Sequence, residues 1–266
     1  MTLHLVRLPV DLRALAAFAV ANRASDDDGG YALHLALRCR FGGAGPQPFR
    51  FFAEHRAGPH LLGYVTDAQA LADAAALPAT DPLLGPAFPA LPSVQPMPAT
   101  WRVGARFGFE VRARPVVRFG GRVRAARADR PGAWLNRAGE VDAFLAACER
   151  AGPVADGNPP VSREAVYADW LVSRLAGAAE VDAPELRLLR RARTLRRVHV
   201  RPGADPKHAN DDAPRFRRSE GPDAVLAGTL TIVDPDAFAR LLARGVGRHA
   251  AFGFGMLLLS PPGRAG

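Results

Sequence analysis

The 266-residue sequence predicts an α+β protein built from two successive βαββαβ units. Its length exceeds the roughly 100 to 200 residues of a typical single core. Strand-like alternation and helix-like periodicity follow one another in both halves, and a proline-rich stretch over residues 83–98 separates the halves. The order is that of ferredoxin-like, or RRM-like, domains, which many RNA-binding modules share. We expect a first domain over residues 1–90 and a second over 91–266, with the boundary near residues 84–99.

The elements of the first half follow from alternation and from capping residues. Asp11 and Asp67 each precede a helical stretch, and their carboxylates are expected to cap it. The prolines of residues 83–98 favour an extended connection. The predicted elements are a strand at 2–8, a helix at 12–23, strands at 49–55 and 60–66, and a helix at 68–77.

The segment YALHLALRCRF, residues 31–41, fits two structures. Its period-two alternation favours a strand, which would send Tyr31 and His34 to opposite faces. As a helix begun by the aspartate run at residues 26–28, the segment would instead bring Tyr31, His34 and Arg38 onto one side. Taken alone, the alternation favours the strand.

The second half is predicted to begin with a strand and to end with one. Phe107, Phe109 and Val111 alternate along the first strand, and arginines occupy its opposite face. Ser162 and Pro235 mark the first turns of two helices. The other predicted elements are helices at 138–152, 162–177 and 235–245 and strands at 225–234 and 253–261.

The net charge of +9 is concentrated in two segments. Residues 186–218 hold eleven Arg or Lys against three Asp, which gives +8. Residues 102–130 hold nine Arg against one Glu and one Asp, which gives +7 and leaves −6 for the rest of the chain. This separation of charge indicates a polyanionic partner, although two solvated arginine-rich faces would produce the same pattern.

The basic stretch at residues 189–202 is expected to form a helix or hairpin that follows an RNA backbone or enters a groove. Residues 204–214 are polar and turn-rich, which predicts a loop that orders only on RNA. His199 and His208 are possible RNA contacts. The arginines assigned to RNA are Arg112, Arg114 and Arg118 on the second-domain strand and Arg190, Arg191, Arg193, Arg196 and Arg197 in the basic stretch.

The sequence disfavours membrane, metal and cofactor functions. No run approaches the roughly 18 to 20 apolar residues that cross a bilayer, and the first residues lack a basic leader and a cleavage site. We therefore expect a cytoplasmic protein. Cys39 and Cys148 stand far apart and outside any CxxC or His/Cys cluster, which predicts reduced, partly buried thiols and no metal. No cofactor is expected.

Four glycines lie between the last predicted helix and the last predicted strand. Closely spaced glycines let backbone amides approach a phosphate, and a neighbouring arginine adds positive charge. The run does not fit a dinucleotide fingerprint, because it follows a helix instead of joining a strand to one. A helix cap and tight turn at Gly245 is the structural alternative. The residues of this loop assigned to RNA contact are Gly245, Gly247, Arg248, His249, Gly253 and Gly255.

Three motifs together resemble the CRISPR-associated RAMP superfamily, and more narrowly the CasE endoribonucleases of type I-E systems. The stretch GVGRHAAFGFGMLLLSP, residues 245–261, is similar to the glycine-rich end of that family. FGFEVRARPVVR, residues 107–118, is similar to its second-domain strand, and YALH, residues 31–34, to its Tyr-x-x-His pair. The resemblance runs in order from the first strand to Pro261.

The resemblance implies two tandem ferredoxin-like domains that grip a hairpin of CRISPR repeat RNA and cut at its 3′ base without a metal ion. The 2′-hydroxyl of the RNA would attack the adjacent phosphate and leave a 2′,3′-cyclic phosphate and a 5′-hydroxyl. It also implies that the protein stays bound to the product crRNA as a subunit of the Cascade complex, with the backbone subunit as its expected neighbour.

The same resemblance makes residues 31–41 helical and assigns roles within them. His34 becomes the leading general acid or base, since an unperturbed histidine titrates near neutrality. Tyr31 would orient the scissile phosphate or stabilise its charge, and Arg38 would extend the same face. His249 is a second candidate for proton transfer. Arg248 departs from the proline, small or lysine residues common there in the family, and we expect it to replace a loop lysine.

Two other functions stay open at this point. In the first, the chain is a non-catalytic RAMP-type subunit that holds CRISPR RNA while His34 is incidental. In the second, a basic ferredoxin-like protein binds another nucleic acid or a protein partner. The Tyr-x-x-His segment separates catalysis from binding alone, and salt-dependent RNA binding separates both RNA functions from a protein-only partner.

Overall fold

The computed structural model describes residues 2–24, 29–119, 139–152, 161–198 and 215–262, with side chains for all of these except 119, 194–198 and 215–219. The strands within these ranges form two four-stranded antiparallel sheets and one two-stranded sheet, and helices pack beside them. The prediction of an α+β protein with two ferredoxin-like units is confirmed.

The first sheet has the order β2-β3-β1-β4, with every neighbouring pair antiparallel. That is the strand order of a ferredoxin-like unit. The carboxylates of Asp11 and Asp67 accept hydrogen bonds from the first turns of their helices, as predicted. The elements are β1 His4–Pro9, α1 Leu12–Ala21, α2 Gly30–Phe41, β2 Phe49–Phe52, β3 His60–Val65, α3 Ala68–Ala76, α4 Leu84–Ala87 and β4 Ser93–Pro96.

The proline-rich stretch departs from its prediction as an extended connection. It contains the short helix α4 and the strand β4, which pairs with β1 at the edge of the first sheet. Proline is compatible with an edge strand because one side of that strand needs no backbone donor. The first sheet thus extends past residue 90, and we propose that the division between the domains follows Pro96.

The second sheet has the order β10-β5-β9-β8, again antiparallel throughout and again ferredoxin-like. A separate hairpin of β6 and β7 lies beside it. The elements are β5 Arg106–Ala113, β6 Val116–Phe119, β7 Gly139–Asp142, α5 Ala143–Ala151, α6 Arg163–Leu175, β8 Ala179–Val198, β9 Arg215–Ile232, α7 Pro235–Arg244 and β10 Leu257–Ser260.

The helix predicted over residues 138–152 is wrong in its first part, where residues 139–142 form strand β7. Asp142 ends that strand and caps α5, because its carboxylate accepts a hydrogen bond of 2.8 Å from the amide of Phe144. The helix starts predicted at Ser162 and Pro235 are present: Ser162 caps α6, and Pro235 is the first residue of α7, which Asp234 caps.

The basic stretch forms a long hairpin instead of a helix. Strands β8 and β9 have 20 and 18 residues and stay paired as far as Val198 opposite Arg215. The strand predicted at 225–234 is therefore only the inner part of β9. Arg196 and Arg197 belong to β8, but their side chains lie outside the described ones, as do His199, His208 and the predicted loop at 204–214.

Two hydrophobic cores hold the chain together, and the second reaches into the first sheet. One core lies between the first sheet and α1 to α3, with Val6, Leu33 and Leu61 fully buried. The other lies under the second sheet and also includes Leu3 and Tyr64 from the first half. The buried Tyr64 hydroxyl donates a 2.9 Å hydrogen bond to the carbonyl of Leu257 in β10. Burial also raises the pKa of Tyr64.

Candidate active site

Helix α2 brings the predicted pair together. Its Tyr31 and His34 rings have centroids 6.3 Å apart, which confirms the helical alternative for residues 31–41. The helix is preceded by Gly29, which adopts a φ of 69° and supplies no capping side chain. Residues 26–28, expected to begin the helix, lie outside the described residues. The sequence alternates like a strand because apolar residues are buried on more than one side of α2.

Phe252 joins this helix to the glycine-rich loop of residues 245–255. It is the last residue of the short 3-10 turn Ala250–Phe252. Its ring contacts His34 edge-on, with the two ring centroids 5.0 Å apart. The same ring stacks on Tyr31 at 6.2 Å. Helix α2 therefore faces the loop. Phe252 was not among the predicted site residues, since one phenylalanine among several carries no sequence signal.

A cleft of about 350 Å³ opens beside His34. Its walls include Arg38, Gln47, Asp67 and Ala251, so α2, the loop after it, the start of α3 and the glycine-rich loop all contribute. His34 is half-buried and Arg38 is exposed. Burial, and secondarily the charge of Arg38, lower the pKa of His34 below its ordinary value. At neutral pH the imidazole is therefore mostly neutral and able to accept a proton.

Tyr31 is more buried than a residue that contacts the scissile phosphate is expected to be. The residue is 7% exposed and packs against Ala24, Leu35 and Phe252. Little of its surface is left for direct contact with a phosphate. Its described contacts are those of a residue that packs against the rings of His34 and Phe252.

Arg248 and His249 share one carboxylate. Nε2 of His249 lies 2.6 Å from Oε2 of Glu140 on β7, and Arg248 forms an ion pair with the other oxygen. The hydrogen bond from His249, followed by the two positive charges, lowers the pKa of Glu140 to about 2. The sequence prediction missed Glu140, because no motif links it to a loop 109 residues away.

The four loop glycines are held by packing. All have φ values between 78° and 83°, a region that favours glycine. A Cβ on Gly247 would lie 2.8 Å from the Trp170 ring. The amides of Gly245 and Gly255 donate to the carbonyls of Leu241 and Arg112, so these two do not provide the predicted phosphate cradle. The structural alternative at Gly245, a helix cap and turn, is present.

The arginines predicted on the second-domain strand differ in exposure. Arg112 and Arg114 are 6% and 1% exposed, so the face that was predicted to be open is covered. Arg112 is paired through Nε and Nη2 with Asp223 at 2.7 and 2.8 Å and stacks on Phe254. Their burial does not favour direct RNA contact, which stays a prediction. Arg118 on β6 is exposed.

The hairpin arginines lie on an accessible surface. The side chains of Arg190 and Arg191 are 58% and 75% exposed, and Arg193 is exposed as well. Arg190 is oriented by a 2.8 Å hydrogen bond to Asp223. Arg190 and Arg191 also line a second cleft, of about 740 Å³, whose other wall is the apolar side of α1.

Neither thiols nor metal ligands cluster at these clefts. Among the residues that the structure describes, no three His, Cys, Asp or Glu side chains form a group that could ligate a metal ion. Cys148 is half-buried as predicted, whereas Cys39 is exposed because it lies on the solvent side of α2. No helix in the described ranges is long and apolar enough to cross a membrane.

Comparison with known proteins gives consistent matches. A family of CRISPR-associated proteins matches residues 3–261. No match was found among curated protein sequences. Among solved structures, the CRISPR endoribonuclease Cse3 bound to a 19-nucleotide RNA has 18% identity and a TM-score of 0.59, covering 98% of this chain and 100% of its own.

Two further structures are similar along their whole length. Cse3 of Thermus thermophilus, bound to an RNA that represents a pre-cleavage complex, has 17% identity and a TM-score of 0.57, with 98% of this chain and 100% of that chain covered. A chain of a CRISPR RNA-guided surveillance complex in a pre-nicking state has 18% identity and a TM-score of 0.51, with the same coverage. At these identities the structures show a shared fold, and the family match covers nearly the whole sequence. The chain therefore belongs to the CRISPR-associated protein family.

Proposed function

We propose that this chain is a metal-independent endoribonuclease that cleaves CRISPR precursor RNA at the repeat hairpin. The observation that carries the proposal is the position of His34, half-buried on α2, facing a cleft beside Arg38 and the glycine-rich loop. A neutral imidazole, a nearby guanidinium and room for a substrate are what an in-line attack by the 2′-hydroxyl needs. As the 2′-oxygen bonds to phosphorus, the bond from phosphorus to the 5′-oxygen would break and that oxygen would take a proton from water, which gives a 2′,3′-cyclic phosphate and a 5′-hydroxyl.

His34 is assigned the role of general base. Its lowered pKa keeps the imidazole neutral at physiological pH, so it can take the proton of the attacking 2′-hydroxyl. Arg38, one turn further along α2 and exposed, would face the negative charge that develops on the phosphate. Tyr31 would act on the phosphate only through its remaining exposed edge, and it also supports His34 through Phe252.

The exposed arginines of the β8–β9 hairpin would hold the RNA. Arg190, Arg191 and Arg193 lie on a strand that continues, paired with β9, beyond the ends of β5 and β10. An extended two-stranded arm with exposed guanidinium groups suits the phosphates of a folded RNA, because duplex RNA is recognised largely through its backbone and shape. Arg118 and Arg248 are both exposed, and they would add contacts on the side of the glycine-rich loop.

The protein would then stay with its product as a subunit of a CRISPR ribonucleoprotein complex. The similar chain from a CRISPR RNA-guided surveillance complex supports this part of the proposal. Partner subunits, including the backbone subunit, would be found by purifying the tagged protein from cells that express the complex. Retention of crRNA and of these subunits after a high-salt wash is the expected result.

The decisive experiment follows the cleavage of a labelled repeat hairpin in the presence of EDTA. Wild-type protein is expected to cut once and to leave a cyclic phosphate, whereas His34→Ala is expected to bind the RNA with unchanged affinity and not to cut it. His55→Ala is the matched control, because His55 is an exposed histidine in the turn between β2 and β3. Undiminished cutting by His34→Ala would remove His34 from the mechanism.

A non-catalytic RNA-binding subunit is the second candidate. The near-complete burial of Tyr31 and the cover of His34 by Phe252 favour it. In that case the wild-type protein binds the repeat hairpin with strong salt dependence and never cuts it. Failure to bind any structured RNA would exclude both candidates.

A further inference from the structure

The segment from Arg248 to Phe252 forms one wall beside His34, and a single carboxylate holds its first two residues. Ala251 lines the cleft and Phe252 packs on His34. Glu140 contacts Arg248 and His249 from β7, a strand outside both large sheets. The side chains of Glu140 and His249 are 21% and 15% exposed, so their contact is largely shielded from solvent, whereas that of Arg248 is 49% exposed.

His249 adopts a backbone conformation that needs support. Its φ of 66° lies in the left-handed region, which a residue with a side chain seldom occupies. It immediately precedes the 3-10 turn, so the direction of this residue sets where Phe252 arrives. The 2.6 Å contact between its Nε2 and Glu140 fixes that direction.

The rest of the loop is seated by other contacts. Gly247 lies against Trp170, and Gly253 lies against Phe49 and near Arg112. These anchors fix the two ends of the loop and leave residues 248–252 between them. Within that interval, Glu140 supplies the ionic contacts that the structure describes. Its cross-strand neighbour on β6 is Arg118, which adds another arginine to this part of the surface.

We propose that Glu140 is a positioning residue: by holding Arg248 and His249 it seats Phe252 against His34 and fixes the direction of the imidazole toward the cleft. Its effect on cleavage rests on the proposed function, while its effect on the loop does not. Glu140 touches no RNA in this role. It acts through His249, the 3-10 turn and the Phe252 ring.

The experiment compares Glu140→Ala and Glu140→Gln with wild type by two readouts. The first is the NMR signals of the His34 ring in the free protein, assigned by their loss in His34→Ala. Phe252 shifts these signals through its ring current, and Phe252→Leu defines the position without that shift. In Glu140→Ala the His34 signals are expected to move to the Phe252→Leu position. Glu140→Gln should lie between, because the amide oxygen can still accept from His249.

The second readout is single-turnover cleavage at saturating RNA. A misplaced catalytic group can cost as much as about 100-fold in rate. We expect a loss of at least about 10-fold in Glu140→Ala, a smaller loss in Glu140→Gln, and an unchanged Kd for the RNA. Glu110→Gln is the matched control, since Glu110 is 27% exposed and pairs with Arg50 instead of with Arg248 or His249. It should leave both the His34 signals and the rate unchanged.

The two proposals fail in different ways. His34 signals that keep their wild-type position in both Glu140 variants would overturn the positioning role, whatever the rate does. If the His34 signals move in the Glu140 variants but the wild-type protein does not cleave the RNA, the proposed endonuclease function is overturned and the positioning of the loop by Glu140 is not. Should Glu140→Ala not fold, Glu140→Gln carries the test, and an unshifted His34 signal there overturns the proposal.

Discussion

Two strands of the second sheet carry arginines, yet Arg112 on β5 and Arg191 on β8 lie in opposite environments. On β5, Arg112 is buried between Asp223 and the ring of Phe254. On β8, Arg191 is 75% exposed, and its partner Glu220 is 45% exposed. The difference lies in what covers each strand. The glycine-rich loop and the first sheet lie over β5, whereas β8 is an edge strand that is hydrogen-bonded, among the described residues, to β9 alone.

The comparison shows that local charge density does not identify a binding surface. A buried guanidinium must be paired with a carboxylate, and Asp223, 1% exposed, serves Arg112 and Arg190 at once. An exposed guanidinium gains little from its surface partner and stays available to a phosphate. Arg190 has both characters, since its Nε is fixed by Asp223 while 58% of its side chain is open. Arg190 therefore lies between the buried Arg112 and the exposed Arg191 in both position and exposure.

The largest expected effect comes from removing the carboxylate at that point. Asp223→Ala removes a carboxylate that pairs with the buried Arg112, and breaking a buried ion pair typically costs about 3–5 kcal/mol. The free energy of unfolding, measured in urea, should fall by about that amount. Asp182→Ala is the control, because the Arg106–Asp182 pair is 57% and 66% exposed and should contribute at most about 1 kcal/mol. Equal losses in the two variants would contradict the contrast.

The next effect tests the cover over β5. Gly255→Ala adds a Cβ that collides with the carbonyl oxygen of Val246 and forces a side chain into a φ of 78°. The backbone conformation alone should cost about 1–3 kcal/mol. Because the Gly255 amide donates to the carbonyl of Arg112, the loop should lift from β5 as well. Gly85→Ala in α4 is the control, since its added Cβ meets nothing within 4 Å. A stable Gly255→Ala protein would contradict the packing described.

The exposed arginines should show the opposite profile. Arg191→Ala and Arg193→Ala are expected to change the free energy of unfolding by no more than about 0.5 kcal/mol. Each should weaken binding of the repeat hairpin and reduce the slope of log K against log salt by about 1, if it contacts a phosphate. Arg13→Ala on α1 provides an exposed arginine that was not assigned to RNA. Equal slopes for all three variants and wild type would remove the hairpin from the RNA-binding surface.

Much of the fold could be predicted because its signals are local. The capping carboxylates of Asp11 and Asp67, and Pro235 in the first turn of its helix, mark helix starts that the structure reproduces. Strand β7 was missed because it has only four residues and runs directly into α5. Strand β4 was missed because its neighbouring prolines resemble a linker, and only pairing with β1, some 90 residues earlier in the chain, makes it a strand.

The residues of the candidate site also fall into those with a local sequence signal and those without one. Tyr31, His34 and Arg38 lie on one helix, so a spacing rule and a family resemblance place them together. Phe252 and Glu140 reach the site through tertiary contacts, and no local pattern distinguishes them from other phenylalanines and glutamates. The burial of Arg112 could not be predicted either, because alternation tells which side of a strand a residue occupies and not what lies over that side.

The last prediction concerns Arg248, which is 49% exposed and so stands between the two classes of arginine. Its partner Glu140 has a pKa lowered from 4.5 to about 2 in the folded protein. A carboxyl whose pKa is lower in the folded state stabilises that state above its unfolded pKa, and the gain is lost as protonation proceeds. The stability of wild type over Glu140→Gln should therefore be full above a pH of about 4.5 and shrink as the pH falls toward about 2. Urea unfolding of both proteins at a series of pH values between 7 and 3 measures this difference, where roughly 3 is the practical acid limit. A difference that grows on acidification would show that Glu140 is not held as a carboxylate by Arg248 and His249, and that this arginine belongs with the exposed ones.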